Sequence, residues 1–143
     1  MKAYSTQNIR NVVLLGSTKS GKTTLSEAML YEGKVIDRRG TVEGKNTVSD
    51  NAEIEQINQR SVYATPLYAE FMDTKFNIID TPGADDFVGG AVSAFKVCDL
   101  GVLVVNAQQG VEVGTQIYAR YAKNYHIPLV VAVNQLDGEK ASW

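Results

Sequence analysis

The sequence predicts an α/β domain built on a mostly parallel, doubly wound sheet with helices on both faces. Three observations support this fold class. Short apolar runs rich in Val, Ile and Leu recur along the chain, segments with helical spacing alternate with them, and polar motifs follow three of the runs. Runs that are nearly continuous rather than alternating are typical of strands buried on both faces of a parallel sheet.

Four of these runs are predicted strands, and a fifth stretch is predicted to form an edge strand. The four are Ile9–Leu15, Phe76–Ile79, Leu100–Val105 and Leu129–Val133. The fifth, Val62–Phe71, is rich in β-forming residues but contains Pro66, which has no N–H group to donate to a neighbouring strand.

Three segments between the runs have apolar residues at helical spacing, so that each forms one stripe that can pack on a sheet. The predicted helices are Thr23–Tyr31, Phe87–Val97 and Val113–Tyr125. The segment Gly33–Arg60 has no clear period and is rich in polar residues. An irregular segment of this length inside a compact domain is usually functional or disordered.

Composition limits the classes of protein to consider. The 143 residues are 44% hydrophobic and 21% charged, with a net charge of −2, which fits one globular domain without bulk attraction to nucleic acid. Cys98 is the single cysteine, which excludes an intramolecular disulfide framework. There is no signal-peptide core and no apolar run of roughly 20 residues. We therefore expect a cytoplasmic domain without a membrane or DNA partner.

The strongest motif is GSTKSGKT at Gly16–Thr23, which follows a predicted strand and opens a predicted helix. The two glycines let the backbone N–H groups wrap around phosphate oxygens at the positive end of the helix. Lys22 adds a charge for the β- and γ-phosphates, the Thr23 hydroxyl can bind Mg²⁺, and Thr24 can donate to the α-phosphate. The motif predicts a P-loop NTPase whose nucleotide-binding residues are Gly16, Ser17, Thr18, Lys19, Ser20, Gly21, Lys22, Thr23 and Thr24.

Two further motifs also follow predicted strands. In DTPG, Asp80 is expected to hold Mg²⁺ through water, and the Gly83 N–H to sense the γ-phosphate. In NQLD, which contains Asn134 and Gln135, the Asp137 carboxylate can accept two hydrogen bonds from guanine that adenine cannot supply. The three motifs together favour GTP over ATP and disfavour an unrelated P-loop ATPase or kinase.

GSTKSGKTT, TVSDNAEIEQ, DTPGADDFVGG and NQLD resemble the GTP-binding domain of translation elongation factor G, most closely that of its divergent paralogues. The resemblance implies GTP or GDP bound with Mg²⁺, and the ribosome, through its RNA and proteins, as partner. It implies a first switch region at residues 33–61, whose Ser61 closes over the metal, and a second switch starting at residues 83–90. It also implies an N-terminal fragment that ends before the last strand, helix and base-reading loop of such a domain.

The sequence departs from the family pattern at four places. Ala84 occupies the position of the water-positioning His, so no catalytic residue is assigned there and we expect hydrolysis to be impaired. Ser61 replaces a Thr, and Gln135 replaces a Lys that lies along the base. Lys19 replaces an Asp, and its ammonium either substitutes for a monovalent cation near the phosphates or is an ordinary surface lysine.

These departures leave three functional hypotheses open. The first is a factor that binds GTP as a conformational switch and hydrolyses it slowly. The second is a fully active translational GTPase, and the third is a ribosomal protection factor of the tetracycline-resistance type, which shares this domain. Ala84 favours the first of them.

Overall fold

In the computed structural model, which describes residues 3–141, the chain forms one five-stranded sheet with helices on both faces. The strand order is β2-β3-β1-β4-β5. The strands β1, β3, β4 and β5 are parallel to one another, whereas β2 runs antiparallel to β3. The strands are β1 (Ile9–Leu15), β2 (Thr65–Phe71), β3 (Thr74–Asp80), β4 (Leu100–Asn106) and β5 (Leu129–Asn134). This mostly parallel sheet confirms the predicted fold class.

The central strand β1 shows why helices cover both faces. Val13 and Leu15 point to one side, where they pack with residues of α3 (Val88–Ala94) and α4 (Val113–Asn124). Val12 and Leu14 point to the other side, where Leu25 and Met29 of α1 (Lys22–Glu32) cover them. Burying a Val or Leu contributes about 1.5–3 kcal/mol, so alternate residues of β1 fix both helical layers at once.

Strands β2 and β5 form the two edges of the sheet. Pro66 lies in the edge strand β2, as predicted. The prediction that Leu129–Val133 is buried on both faces was wrong, because β5 forms the other edge. Its side chains Val130 and Val131 are 51% and 58% exposed. An apolar run alone does not distinguish a central strand from an edge strand.

Two helical segments also differ from the prediction. The helix expected over Phe87–Val97 is a 3-10 turn at Asp85–Phe87 followed by the shorter α3. Residues 33–60, where no element was predicted, contain α2 (Glu53–Asn58). The buried Cys98 belongs to the core cluster. Every helix within residues 3–141 is too short or too polar to cross a lipid bilayer.

Candidate functional site

The loop between β1 and α1 has the backbone conformation that its glycines allow. Gly16 has φ 139° and Gly21 has φ 99°, both in a region that residues with a side chain rarely adopt. A Cβ at Gly16 would lie 2.9 Å from Ser20 Oγ and would collide with the Val104 carbonyl oxygen. The chain can therefore make this tight turn only with glycine at these positions.

Lys22, the first residue of α1, is buried inside this loop. Its Nζ donates a hydrogen bond of 2.9 Å to the Ser17 carbonyl oxygen. Burial lowers the pKa of Lys22 to about 8, although the carboxylates of Asp80 and Asp50 act in the opposite direction. The ammonium is thus held in a poorly solvated position, where it interacts more strongly with an anion than it would in water.

Three predicted metal ligands converge at the start of α1. The Thr23 hydroxyl donates to Asp80 Oδ2 at 2.9 Å, and Thr23 Oγ1 lies 3.2 Å from Ser61 Oγ. Asp80 ends β3, and Thr23 lies in the first turn of α1, so the parallel pairing of β1 with β3 brings them together. All three were predicted metal ligands, and the structure places Thr23 in contact with both Asp80 and Ser61.

Buried oxygen atoms at this point lack hydrogen-bond partners within the described part of the chain. They include Asp80 Oδ1 and Asp50 Oδ2, and Ser49 Oγ is a third. Burial raises the pKa of Asp80 to about 6, against the opposing effects of the Thr23 hydroxyl and Lys22. Unpaired carboxylate and hydroxyl oxygens are the ligands that Mg²⁺ prefers, so the residues present fit this metal.

The segment after Asp80 passes close to the phosphate loop. A Cβ at Gly83 would lie 2.7 Å from the Ser17 carbonyl group and would collide with Lys22 Nζ. The Tyr118 hydroxyl of α4 donates to the Pro82 carbonyl oxygen at 2.9 Å. Burial raises the pKa of Tyr118 to about 12, which keeps this donor protonated at neutral pH. Gly83 is thus held against Lys22, with Ala84 next to it.

The NQLD motif contacts the phosphate loop through its first two residues. Asn134 Nδ2 donates to the Ser20 carbonyl oxygen at 3.0 Å, and Gln135 Nε2 donates to the Lys19 carbonyl oxygen at 2.9 Å. Asn106 Nδ2 in turn donates to Gln135 Oε1 at 2.8 Å. Asp137 is exposed and makes none of these contacts. The first two residues of NQLD therefore hold the phosphate loop in place through its backbone carbonyl groups.

A cavity of about 610 Å³ lies in front of these groups, in the size range of small-molecule sites. The predicted residues Gly16, Ser17, Ser20 and Asp80 are buried and do not line it, and neither do Asn134 and Asp137. Its lining consists of Thr18, Lys19, Gly21, Lys22, Thr23, Thr24, Val42, Glu43, Asp50, Asn58, Gln59, Arg60, Ser61, Gly83, Ala84, Asn106, Gln108, Gln109 and Gln135.

Two buried glutamates that sequence reasoning missed organise residues 33–61 around this cavity. Glu27 of α1 accepts hydrogen bonds from the backbone N–H groups of Gly40, at 2.8 Å, and Val48, at 2.6 Å. Glu55 of α2 accepts from those of Val62 and Tyr63, each at 3.0 Å. Backbone N–H groups in an irregular segment have no acceptor in a helix turn or a neighbouring strand. Each glutamate carboxylate thus supplies the missing acceptors.

Asp50 and Asn106 were also missed. Asp50 is 5% exposed, and burial raises its pKa against the opposing effect of the Ser61 hydroxyl. Asn106 ends β4 as Asp80 ends β3, at the carboxyl ends of the parallel strands, and this shared position was the signal that could have identified it. Asp50 lies in the stretch TVSDNAEIEQ, but no role was assigned to it there, because its burial depends on other segments of the fold.

Comparisons with known proteins agree with this geometry. The sequence profile of the elongation factor Tu GTP binding domain matches residues 7–142. The chain is 36% identical over 135 residues to an elongation factor G-like protein of Mycobacterium tuberculosis, covering 94% of this chain and 19% of that protein. It is 39% identical over 132 residues to the oxytetracycline resistance protein of Streptomyces rimosus, covering 91% of this chain and 20% of that protein.

A solved structure shows the same fold. The crystal structure of a protein from Thermus thermophilus matches with a TM-score of 0.88 and 36% sequence identity, over 90% of this chain and 20% of that one. This chain thus spans about a fifth of the length of the curated relatives it matches. Because the domain profile matches almost the whole chain, the chain belongs to the family of the elongation factor Tu GTP-binding domain.

Proposed function

We propose that this chain binds GTP and GDP with Mg²⁺ as the nucleotide-switch domain of an elongation factor G-like ribosomal translocation factor. The observation that carries the proposal is the convergence of Thr23, Ser61 and Asp80 beside the buried Lys22. Residues from the phosphate loop, residues 33–61 and the end of β3 meet there, as a switch that responds to the terminal phosphate requires.

The nucleotide would lie in the cavity, with its phosphates on the backbone N–H groups of residues 16–24 and on Lys22. The hydroxyls of Thr23 and Ser61 would hold Mg²⁺, and Asp80 and Asp50 would accept hydrogen bonds from its waters. The metal would neutralise phosphate charge when bound. Gly83 would donate its N–H to the γ-phosphate, as the residue beside Lys22.

The choice of base would depend on Asp137. Asp137 is the acceptor that would select guanine, and it lies exposed beyond the cavity lining. Its carboxylate remains free to accept from a base that extends past Gln135. A competition experiment with labelled GTP tests this, because excess ATP should fail to displace the label whereas excess GDP should displace it.

We further propose that hydrolysis is slow, so that GTP acts mainly by ordering residues 33–61. Ala84 lines the cavity, and a methyl group cannot orient a water molecule. The single histidine of the sequence, His126, is exposed beyond the end of α4, away from the carboxyl ends of the strands. Losing a water-orienting group costs on the order of 10²–10⁴ in rate.

Single-turnover GTP hydrolysis, measured with ribosomes on the protein that carries this domain, tests the slow reaction. We expect the wild type to be slow and the Ala84→His variant to be at least tenfold faster. A wild-type rate comparable to that of an ordinary elongation factor would support a fully active translational GTPase instead.

A ribosomal protection role is a second candidate, because the oxytetracycline resistance protein of Streptomyces rimosus is as similar to this chain as the elongation factor G-like relative is. Both roles place the protein on the ribosome in the cytoplasm. Rescue of translation in vitro in the presence of tetracycline would support protection, whereas GTP-dependent movement of messenger RNA would support translocation.

A further inference from the structure

Arg60 is the arginine in the lining of the cavity, and its position is set by its neighbours on both sides. On one side, Gln59 directly follows α2 with a left-handed φ of 50°, and the Arg60 N–H donates to the Glu55 carbonyl oxygen at 3.2 Å. On the other side, Ser61 Oγ lies 3.2 Å from Thr23 Oγ1. The backbone of Arg60 is therefore held beside the start of α1.

The Arg60 side chain, in contrast, is exposed and unpaired. Within residues 3–141 its guanidinium has neither a hydrogen-bond acceptor nor a carboxylate partner. The nearby carboxylate of Glu55 is already used by the N–H groups of Val62 and Tyr63. An anchored backbone with a free cationic side chain at a cavity wall is suited to binding an anion inside the cavity.

Arg60 lines the cavity close to the position where a terminal phosphate would lie. Ser61 places Arg60 at the Thr23 end, and Gly83 and Ala84 line the same cavity next to Lys22. Lys22 Nζ already donates to the Ser17 carbonyl oxygen, and Ala84 has no polar side-chain atom. Arg60 therefore adds a planar set of donors where the neighbouring segment offers only backbone groups.

We propose that Arg60 binds the terminal phosphate of a nucleoside triphosphate and makes the chain prefer the triphosphate over the diphosphate. The inference rests on the proposed function, because it assumes that the cavity holds a guanine nucleotide. Arg60 would thus be a residue within the segment 33–61 that determines specificity. Because Arg60 lies just after α2, the position of the end of this helix would depend on whether the third phosphate is bound.

Isothermal titration calorimetry with Mg²⁺ and either GDP or the non-hydrolysable analogue GppNHp tests the proposal. We expect Arg60→Ala to weaken binding of the analogue about tenfold and to leave GDP binding unchanged, since only the triphosphate meets the guanidinium. Arg60→Lys should recover part of the loss, because it keeps the charge but not the two parallel donors. Arg38→Ala is the matched control, because Arg38 is an exposed arginine of the same segment outside the cavity lining.

The outcomes separate this inference from the proposed function. An equal loss for both nucleotides, or no loss for either, would overturn the role of Arg60 while the nucleotide site stands. A wild-type chain that binds neither nucleotide would overturn the proposed function and this inference with it. Circular dichroism of each variant checks the fold, which an exposed side chain should not disturb.

Discussion

The Thr23 hydroxyl donates to Asp80 Oδ2 at 2.9 Å although the two residues are 57 positions apart. Both are buried, and Ser26 Oγ also lies 3.5 Å from the same carboxylate oxygen. The other carboxylate oxygen, Oδ1, has no partner within the described residues. One half of Asp80 therefore anchors α1 to the end of β3, and the other half is available to a ligand.

The raised pKa of Asp80 predicts a pH-dependent stability in the absence of nucleotide. Burial raises this pKa from 3.8 to about 6, so between these values the folded chain holds a proton that the unfolded chain has released. The Asp80 contribution to the free energy of unfolding is therefore greatest below about pH 4 and falls as pH rises to about 6, by at most about 3 kcal/mol.

Urea denaturation of the wild type and of Asp80→Asn at pH 4.5 and pH 7 checks this. The difference in stability between the two proteins should shift in favour of the variant at pH 7. The exposed Asp37→Asn serves as control. A difference that stays constant across the pH range would contradict the prediction.

Glu27 is expected to hold residues 40–48 in place. Its two short hydrogen bonds to the N–H groups of Gly40 and Val48 involve a charged acceptor, and such bonds contribute about 1.5–3 kcal/mol each. Glu27→Ala should therefore raise the hydrogen-exchange rates of these two amides at least tenfold. Glu32→Ala, at the exposed end of α1, should leave both rates as they are. Unchanged protection in Glu27→Ala would show that other contacts hold the segment.

Gly83 and Gly89 should respond in opposite directions to the same substitution. Gly83→Ala places a methyl group 2.7 Å from the Ser17 carbonyl group, and such overpacking typically costs about 1–3 kcal/mol. A Cβ at Gly89, within α3, meets no atom within 4 Å, so Gly89→Ala should stabilise the helix by about 0.5–1 kcal/mol. Differential scanning calorimetry would show the melting temperature falling for the first variant and rising for the second. Equal shifts would contradict the close approach of Gly83 to the phosphate loop.

Lys19 predicts that nucleotide binding is insensitive to the monovalent cation. It lies in the phosphate loop with φ 63°, is exposed, and lines the cavity, so its ammonium can occupy the place of a bound K⁺. We expect equal GDP affinity in K⁺ and Na⁺ buffers for the wild type. Lys19→Asp should introduce a preference for one cation, because a carboxylate there attracts a metal ion. A strong K⁺ requirement in the wild type would contradict this role.

The strands and the phosphate loop could be predicted because their signals are local. Apolar runs mark β1, β3 and β4 within a few residues, and the glycines at 16 and 21 are required by the turn itself. The helix α2 could not be predicted, since the burial of its side chains is the reverse of what their hydrophobicity suggests. It buries Glu55 and exposes Ile54 and Ile57, at 48% and 65%. Hydrophobic periodicity assumes the opposite arrangement.

The site was predictable only in part for a similar reason. Thr23, Ser61 and Asp80 could be assigned together through the resemblance to a known family, and the structure brings them into contact. Glu27 carries no motif, and Asp50 lies in TVSDNAEIEQ without a predicted role, because their roles depend on backbone groups more than ten positions away or on burial by other segments. Such roles follow from the tertiary arrangement and not from spacing along the chain.

The contacts of Asn134 and Gln135 with the phosphate loop have a consequence for the order of synthesis. The loop carbonyls at Ser20 and Lys19 receive these side chains from positions 114 and 116 residues later. A nascent chain therefore presents its phosphate loop long before the amides that fasten it have been translated. The phosphate loop is therefore fastened by these side chains only after β5 has left the ribosomal tunnel.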